Sequence, residues 1–284
     1  MNYRHAFHAG NFADVLKHSV LALSLLYLRN KTQPFRVIDT HAGIGLYDLA
    51  GDEALRTGEW REGIGLIENE VFEPEVAALL APYLDTVRLI RQMEGPQAYP
   101  GSPLIAQHAL RPDDRMILNE KHPADQILLD AAVGSDRRIK VLALDGYIAL
   151  KAHVPPPERR GLVLIDPPFE DKREFDSLLH GFAKAYAKWP TGCYVLWYPL
   201  KNKDQTDAFA LAMQDMALPR LLCVELAVRD FGGGGPLYGS GLMIVNPPFV
   251  LGAQMRTLLP ALERVLAQGR GHFWRCDWLG TAKE

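Results

Sequence analysis

Seven short β-rich runs, at residues 35–38, 116–118, 140–144, 162–165, 194–197, 221–226 and 242–245, alternate with stretches of helical periodicity. Strands interleaved with helices favour a parallel, doubly wound sheet, because each crossover must return the chain to the same edge. Ligands of such sheets bind outside the carboxyl ends of the strands, where the strand order reverses. Four runs here end on an acid: Asp39, Glu120, Asp145 and Asp166. One acid alone reads as a solvated strand end, but four in succession describe a pocket. Between the first two runs, residues 51–99 are helical in pattern, with Pro74, Pro82 and Pro96 as punctuation. That block exceeds a standard crossover and is expected to be an inserted helical subdomain. The expected division is therefore 1–50 (N-terminal segment, first helix, first strand), 51–99 (the insertion) and 100–284 (the rest of the main domain).

Composition narrows the class. A chain of 284 residues, 48% hydrophobic, supports one large domain with an insertion. A net charge of −3 does not mark a nucleic-acid binder, although local patches count for more than totals. Cys193, Cys223 and Cys276 are isolated, with neither metal-ligand spacing nor a disulfide framework, which favours a reducing cytosol. The first residues are polar and rich in histidine rather than signal-like, and the apolar stretch 20–28 is too short to span a bilayer. A cytoplasmic location away from membranes is expected. His5, His8, His18 and His41 form no His-Glu-x-x-His pattern and pair with no cysteine, so no metal is expected.

The chemistry concentrates at Asp166-Pro167-Pro168-Phe169, which closes the run before it. Proline has no N–H, so this turn offers carbonyl acceptors only. Beside them stand a carboxylate and a flat ring. The set suits a planar heterocycle with an exocyclic amino group, stacked on the ring with both N–H hydrogens accepted. That is the logic of an amino-methyltransferase acting on adenine, or less often cytosine; the plain alternative is a rigid strand-ending turn. A second copy, Asn246-Pro247-Pro248-Phe249, ends the last run and reads either as the site in a permuted order or as a strand-ending turn near it; the first copy follows Asp145 by one crossover length and is favoured. The turn from Asp39 through Thr40, His41 and Gly43 to Gly45 allows close approach of backbone to ligand. No Gly-Lys-Ser/Thr follows it, so a phosphate-cradling loop is not indicated. Glu120 is placed for a ribose diol, and Asp145, next to Gly146, for the amino group of an adenine ring. Ser102 reads equally well as a helix N-cap ahead of Pro103, and His18, on the helix of 14–30, as a core histidine. Tyr238, beside the glycine-rich loop 232–235, is expected to face solvent. Lys201 and Lys203 are the basic residues at the carboxyl edge, whereas Arg159 and Arg160 lie at the far end of the motif strand.

Taken in order, the glycine turn, Glu120, Asp145 and Asp166-Pro-Pro-Phe resemble the S-adenosylmethionine-dependent adenine-N6 methyltransferases. A closer similarity covers nearly the whole chain. Tyr3-Arg-His-Ala-Phe-His-Ala-Gly-Asn11, Asp14-Val-Leu-Lys-His18, Asp39-Thr-His-Ala-Gly43, Tyr99-Pro-Gly-Ser-Pro103 and Leu164-Ile-Asp-Pro-Pro168 resemble the bacterial RlmJ-type family, which methylates one adenine N6 of 23S ribosomal RNA. The resemblance implies an α/β, Rossmann-like class I methyltransferase fold with a mostly parallel seven-stranded sheet and an inserted helical subdomain. It implies S-adenosyl-L-methionine as cofactor and 23S ribosomal RNA as partner; a monomer is expected. His18, His41, Ser102, Glu120, Asp145 and Gly146 would contact the cofactor, with Lys17, Asp39 and Gly43 in the same pocket. Asp166, Pro167 and Phe169 would be the catalytic positions, Tyr3 and Phe169 would touch the RNA, and the N-terminal segment would fold over the cofactor. Thr40 and His41 stand where the broader adenine-methyltransferase pattern has Pro and Phe. The rival readings are a DNA adenine-N6 methyltransferase and a nucleic-acid-binding protein that keeps the fold without turnover. Contacts to the ribose 2′-hydroxyl separate RNA from DNA, and no motif reports them.

Overall fold

The computed structural model describes residues 4–231 and 237–281; Tyr3 and the glycines of 232–235 lie outside them. The chain enters through α1 (Phe12–Arg29), whose N-cap Asn11 accepts the amides of Ala13 and Asp14. Nearly every residue of α1 is buried, because it runs between the sheet and other helices rather than along the surface. After β1 (Arg36–Asp39) come the short β2 (Leu46–Asp48), α2 (Asp52–Thr57), α3 (Ile64–Asn69), α4 (Pro74–Glu94) and β3 (Ala98–Pro100). Then α5 (Ser102–Ala109), β4 (Arg115–Asn119), α6 (Pro123–Val133), β5 (Ile139–Leu142), α7 (Gly146–His153) and β6 (Gly161–Ile165) follow in strict alternation. The remainder is α8 (Glu174–Lys188), β7 (Cys193–Leu200), α9 (Lys203–Asp215), β8 (Leu221–Ala227), β9 (Gly239–Val245), α10 (Leu251–Leu266) and β10 (Phe273–Trp278).

The main sheet has the order β10-β8-β9-β7-β6-β1-β4-β5. Strands β5, β4, β1, β6 and β7 are parallel, while β9 runs antiparallel to β7 and β8, and β10 antiparallel to β8. The chain moves outward from β1 to β4 and β5, then returns to β6 and β7. The order therefore reverses between β1 and β6, and their carboxyl ends open a crevice. Helices cover both faces. On one side Leu16, Leu80, Ile105, Leu129 and Leu258 share a cluster with the sheet; on the other Leu150, Phe182 and Phe209 do.

The α/β class stands, with corrections of detail. Among the described residues the main sheet has eight strands rather than seven, the eighth being β10. As an edge strand it pairs on one side only, and Arg275 and Asp277 interrupt its apolar residues. Residues 51–99 are not helical throughout: Ala98 and Tyr99 belong to β3, which pairs with β2 ahead of the block, Tyr99 standing opposite Tyr47. Pro82 lies inside α4 and does not end it. The helices of this stretch carry no core of their own, since Ile64, Ile67, Leu80 and Tyr83 join the cluster around α1. Finally, Tyr238 is 2% exposed, with its ring against Phe231, and does not face solvent. No helix among the described residues is long and apolar enough to cross a membrane.

Candidate active site

Strands β6, β1, β4 and β5 are neighbours and parallel, so the acids that end them arrive side by side at one edge. Glu120, Asp145 and Asp166 border a cleft of about 380 Å3. Of the positions picked out in sequence, Lys17, His18, His41, Gly43, Ser102, Glu120, Asp145, Gly146, Asp166 and Pro167 line it. Asp39 and Phe169 do not, and Tyr3 lies outside the described residues.

Each acid is fixed by its own partners. Glu120 accepts the amide of Gly43 at 3.0 Å and that of His122 at 2.8 Å, bracing the glycine turn against the end of β4. Burial raises its pKa, and these two amides pull it back. Asp145 is the N-cap of α7, accepting from Tyr147 N at 3.1 Å, and its other oxygen meets Lys121 Nζ at 3.1 Å. Asp39 is buried behind the wall; its Oδ2 accepts from Ser102 Oγ at 2.6 Å. Burial pushes its carboxyl up to about 6, against that hydrogen bond and with help from the charge of Asp166. Ser102 is thus the first residue of α5 rather than its cap, a place taken by Gly101, and its hydroxyl serves Asp39 instead.

Two glycines are required by close approach. A Cβ on Gly146 would sit 2.3 Å from His41 Nε2, and one on Gly43 would sit 2.4 Å from Tyr47 Oη. His41 is oriented through Nδ1, 2.8 Å from Thr40 Oγ1.

Sequence reading missed the group behind Asp166. Its Oδ2 accepts from Lys17 Nζ at 2.6 Å, and the same ammonium lies 2.9 Å from Asp14 Oδ1. Burial opposes the charge on Lys17, but the two carboxylates outweigh it and hold the amine protonated above the usual lysine range. Next to it, His18 is 1% exposed, its Nδ1 2.9 Å from Tyr99 Oη, which in turn meets Tyr83 Oη at 2.9 Å. Burial pushes the pKa of His18 down to about 3, so the ring is neutral. The polar stripe of Asp14, Lys17 and His18 at i, i+3 and i+4 on an otherwise apolar helix was the available signal.

Phe169 is half-buried and packs edge-on against Phe175 and Trp197, at centroid distances of 4.8 and 5.6 Å. Its φ of 51° is uncommon for a bulky side chain and is the kind of local strain found at functional turns. The second motif copy is elsewhere. β9 runs antiparallel, so Asn246 lies level with the amino end of β6, where its amide donates to Pro190 O and Gly192 O at 2.8 and 2.9 Å. Lys203 at the carboxyl edge is taken up by Asp207 at 2.5 Å. Among the described residues no group of three His, Cys, Asp or Glu side chains is placed to hold a metal ion.

Comparison with known proteins decides the family. Residues 32–280 match the family described as Ribosomal RNA large subunit methyltransferase D, RlmJ. The chain belongs to the RlmJ family. It is 40% identical over 273 residues to Ribosomal RNA large subunit methyltransferase J of Escherichia coli, covering 96% of each. Against the protein of the same description from Haemophilus influenzae it is 38% identical over 283 residues, covering 98% of this chain and 99% of the other. A crystal structure of a Legionella pneumophila protein superposes with a TM-score of 0.85 at 33% identity, covering 96% of this chain and 99% of that one. The two RlmJ relatives match 96% and 98% of this chain, so the similarity is not confined to the sheet.

Proposed function

We propose that this RlmJ-family chain transfers a methyl group from S-adenosyl-L-methionine to N6 of an adenine in 23S ribosomal RNA, acting in the cytoplasm as a monomer. The observation that carries the reading is the side-by-side arrival of Asp39, Glu120, Asp145 and the Asp166-Pro167 turn at the strand-order reversal. The cleft fits a nucleoside cofactor by its donor set. Glu120 offers a carboxylate for a vicinal diol and Asp145 one for an amino group, while Gly43 and Gly146 leave backbone bare where a side chain would collide. His18, His41 and Ser102 complete the set of cofactor contacts. S-adenosyl-L-methionine, when bound, supplies a methyl group on a positively charged sulfur that needs no metal for its activation.

The chain's own share is positioning and fixed dipoles. Lys17 occupies Asp166 Oδ2, which leaves Oδ1 to accept one N–H of the target amine. The Pro167 carbonyl accepts the other. Two acceptors on one nitrogen favour a pyramidal amine and free a lone pair otherwise delocalised into the purine. Phe169 follows the cleft-lining Pro167-Pro168 pair without lining the cleft itself, and from there would stack the base, a contribution of roughly 1–3 kcal/mol, once the nucleotide has left its own stack. Tyr3 touches the RNA, and the N-terminal segment, whose His5 lines the cleft, covers the cofactor. Residues 1–50 and 100–284 form the methyltransferase domain, with 51–99 as its insertion.

Support for RNA over DNA comes from the relatives, both named as ribosomal RNA methyltransferases over almost their whole length. The test incubates the full chain with labelled S-adenosyl-L-methionine and, in parallel, transcribed 23S ribosomal RNA and genomic DNA. Nucleoside analysis should return N6-methyladenosine from the RNA. Label confined to DNA, or RNA labelled at another position, would refute the proposal.

A further inference from the structure

Asp14 is a charge with no exposure to water and no place in the cofactor or substrate contacts. It stands in the first turn of α1, where its Oδ2 accepts the amide of Gly10 at 2.9 Å and meets His5 Nε2 at 3.0 Å. Its other oxygen lies 2.9 Å from Lys17 Nζ and 3.7 Å from His18 Nε2. The amide contact belongs to helix capping and would serve any helix. The lysine contact does not: Lys17 reaches 149 positions along the chain to Asp166. A lysine on a flexible four-carbon stem is a poor clamp unless its own head is fixed. Asp14 fixes it, one helical turn away.

We propose that Asp14 is a positioning residue for methyl transfer, setting the place and charge of Lys17 so that Lys17 orients the Asp166 carboxylate toward the target amine. The inference rests on the methyltransferase reading above and adds to it a residue that touches neither cofactor nor base. Asp14, Lys17 and Asp166 carry one net negative charge between them. Without Asp14 the remaining pair is neutral, and Asp166 becomes a weaker acceptor with a less constrained side chain. Misplacement of a reacting group by about 1 Å costs on the order of 100-fold in rate.

The groups facing Lys17 are Asp14, His5 and His18 from the N-terminal elements, Asp39 from the end of β1 and Asp166 from the end of β6. Behind them stand Tyr99 and Tyr83, which feel the charge of Asp14. Of these, Asp14 and Asp166 raise the pKa of Lys17 against its burial. In Asp14→Asn only Asp166 remains to do so, and the amine should then lose its proton within reach of ordinary buffers.

The experiment measures single-turnover methyl transfer by the full chain, with transcribed 23S ribosomal RNA, for wild type, Asp14→Asn, Lys17→Met and the double variant. Circular dichroism melts confirm folding of each. The expected result for Asp14→Asn is a fall of about 10–100-fold in rate at saturating RNA and cofactor, with KM for cofactor changed less than about threefold. A new alkaline loss of rate should appear between about pH 8 and 10, absent in wild type. The double variant should be no slower than Lys17→Met, since Asp14 acts through the lysine. Losses that multiply in the double variant, or a slower Asp14→Asn with a wild-type pH profile, would overturn the proposal in favour of helix capping alone. A wild-type rate in Asp14→Asn would do so too. If Asp14→Asn does not fold, the double variant, which buries no unpaired charge at the lysine, is compared with Lys17→Met and decides the question. Failure of the underlying reading shows separately, as wild-type protein that transfers no methyl to adenine.

Discussion

Asp166→Ala separates chemistry from folding and from cofactor binding, and the structure sets the size of each effect. On the proposed mechanism the substitution removes one of the two acceptors for the target amine. Loss of one preorganised group of this kind costs about 100- to 1000-fold in kcat. The cost in stability should be smaller than for an ordinary buried pair. Lys17 would keep Asp14 at 2.9 Å, so the ammonium is not stranded. Breaking a buried pair and leaving a bare charge costs about 3–5 kcal/mol, and here about 1–2 kcal/mol is expected, or about 2–4 °C of melting temperature for each kcal/mol. Glu120 and Asp145, after the ends of other strands, are untouched, so affinity for the product S-adenosylhomocysteine, which lacks the sulfonium charge, should stay within about threefold. Single-turnover transfer, titration calorimetry with S-adenosylhomocysteine and a thermal melt measure the three terms on one preparation. Turnover within about tenfold of wild type, or a loss of binding as large as the loss of rate, would refute the assignment of Asp166.

Two further outcomes follow from packing and burial. Gly146→Ala places a methyl 2.3 Å from His41 Nε2 and 2.9 Å from Thr40 O, so either the ring or α7 must move. Overpacking should cost about 1–3 kcal/mol, and His41→Ala in the same chain should recover part of it in a denaturant melt. His18 is neutral in the fold, with its pKa near 3 against an ordinary value of 6.5. The unfolded chain therefore takes up a proton that the folded chain refuses, so this contribution to stability is fully present above pH 6.5 and lost as pH falls toward 3. His18→Gln should flatten the dependence of stability on pH in that window, by up to about 1.4 kcal/mol per pH unit, as read from denaturant melts at successive pH values.

The legible part of the site was whatever strand ends and turns announce locally. Glu120, Asp145 and Asp166 were readable because an apolar run that stops on an acid has a fixed address in a parallel sheet. Ser102 was half readable: its place beside Pro103 marked a helix start, but its bond to Asp39 is a contact across 63 positions. Lys17 was assigned to the pocket, yet nothing in the spacing told that it turns to Asp166. Tyr99 was quoted in a motif, but the strand that holds it was hidden for another reason. That strand has three residues at the end of a block whose period is helical, and so short a run carries no alternation to detect. Phe169 was picked for its ring, while its packing on Trp197 depends on β7, which the chain reaches only after α8, and its positive φ has no signal in residue type.

Direction, rather than composition, distinguishes the two Asx-Pro-Pro-Phe copies. β6 runs with β1 and β4, so its motif ends at the edge where the other acids end. β9 runs against β7, so its Asn-Pro-Pro-Phe emerges at the opposite edge. There Asn246 adopts a φ of 51°, tolerable for asparagine, and closes the loop before β7 with two hydrogen bonds to carbonyls. Phe249 is 76% exposed, far from the reversal of strand order. Asn246→Ala should therefore cost about 1–2 kcal/mol through the lost hydrogen bonds and the strained backbone, with methyl transfer unchanged. Asn246→Gly, which accepts the positive φ freely, should recover the backbone share. A fall in single-turnover rate for Asn246→Ala comparable to that of Asp166→Ala would mean that the second motif, not the first, meets the base, and that sheet direction was the wrong criterion.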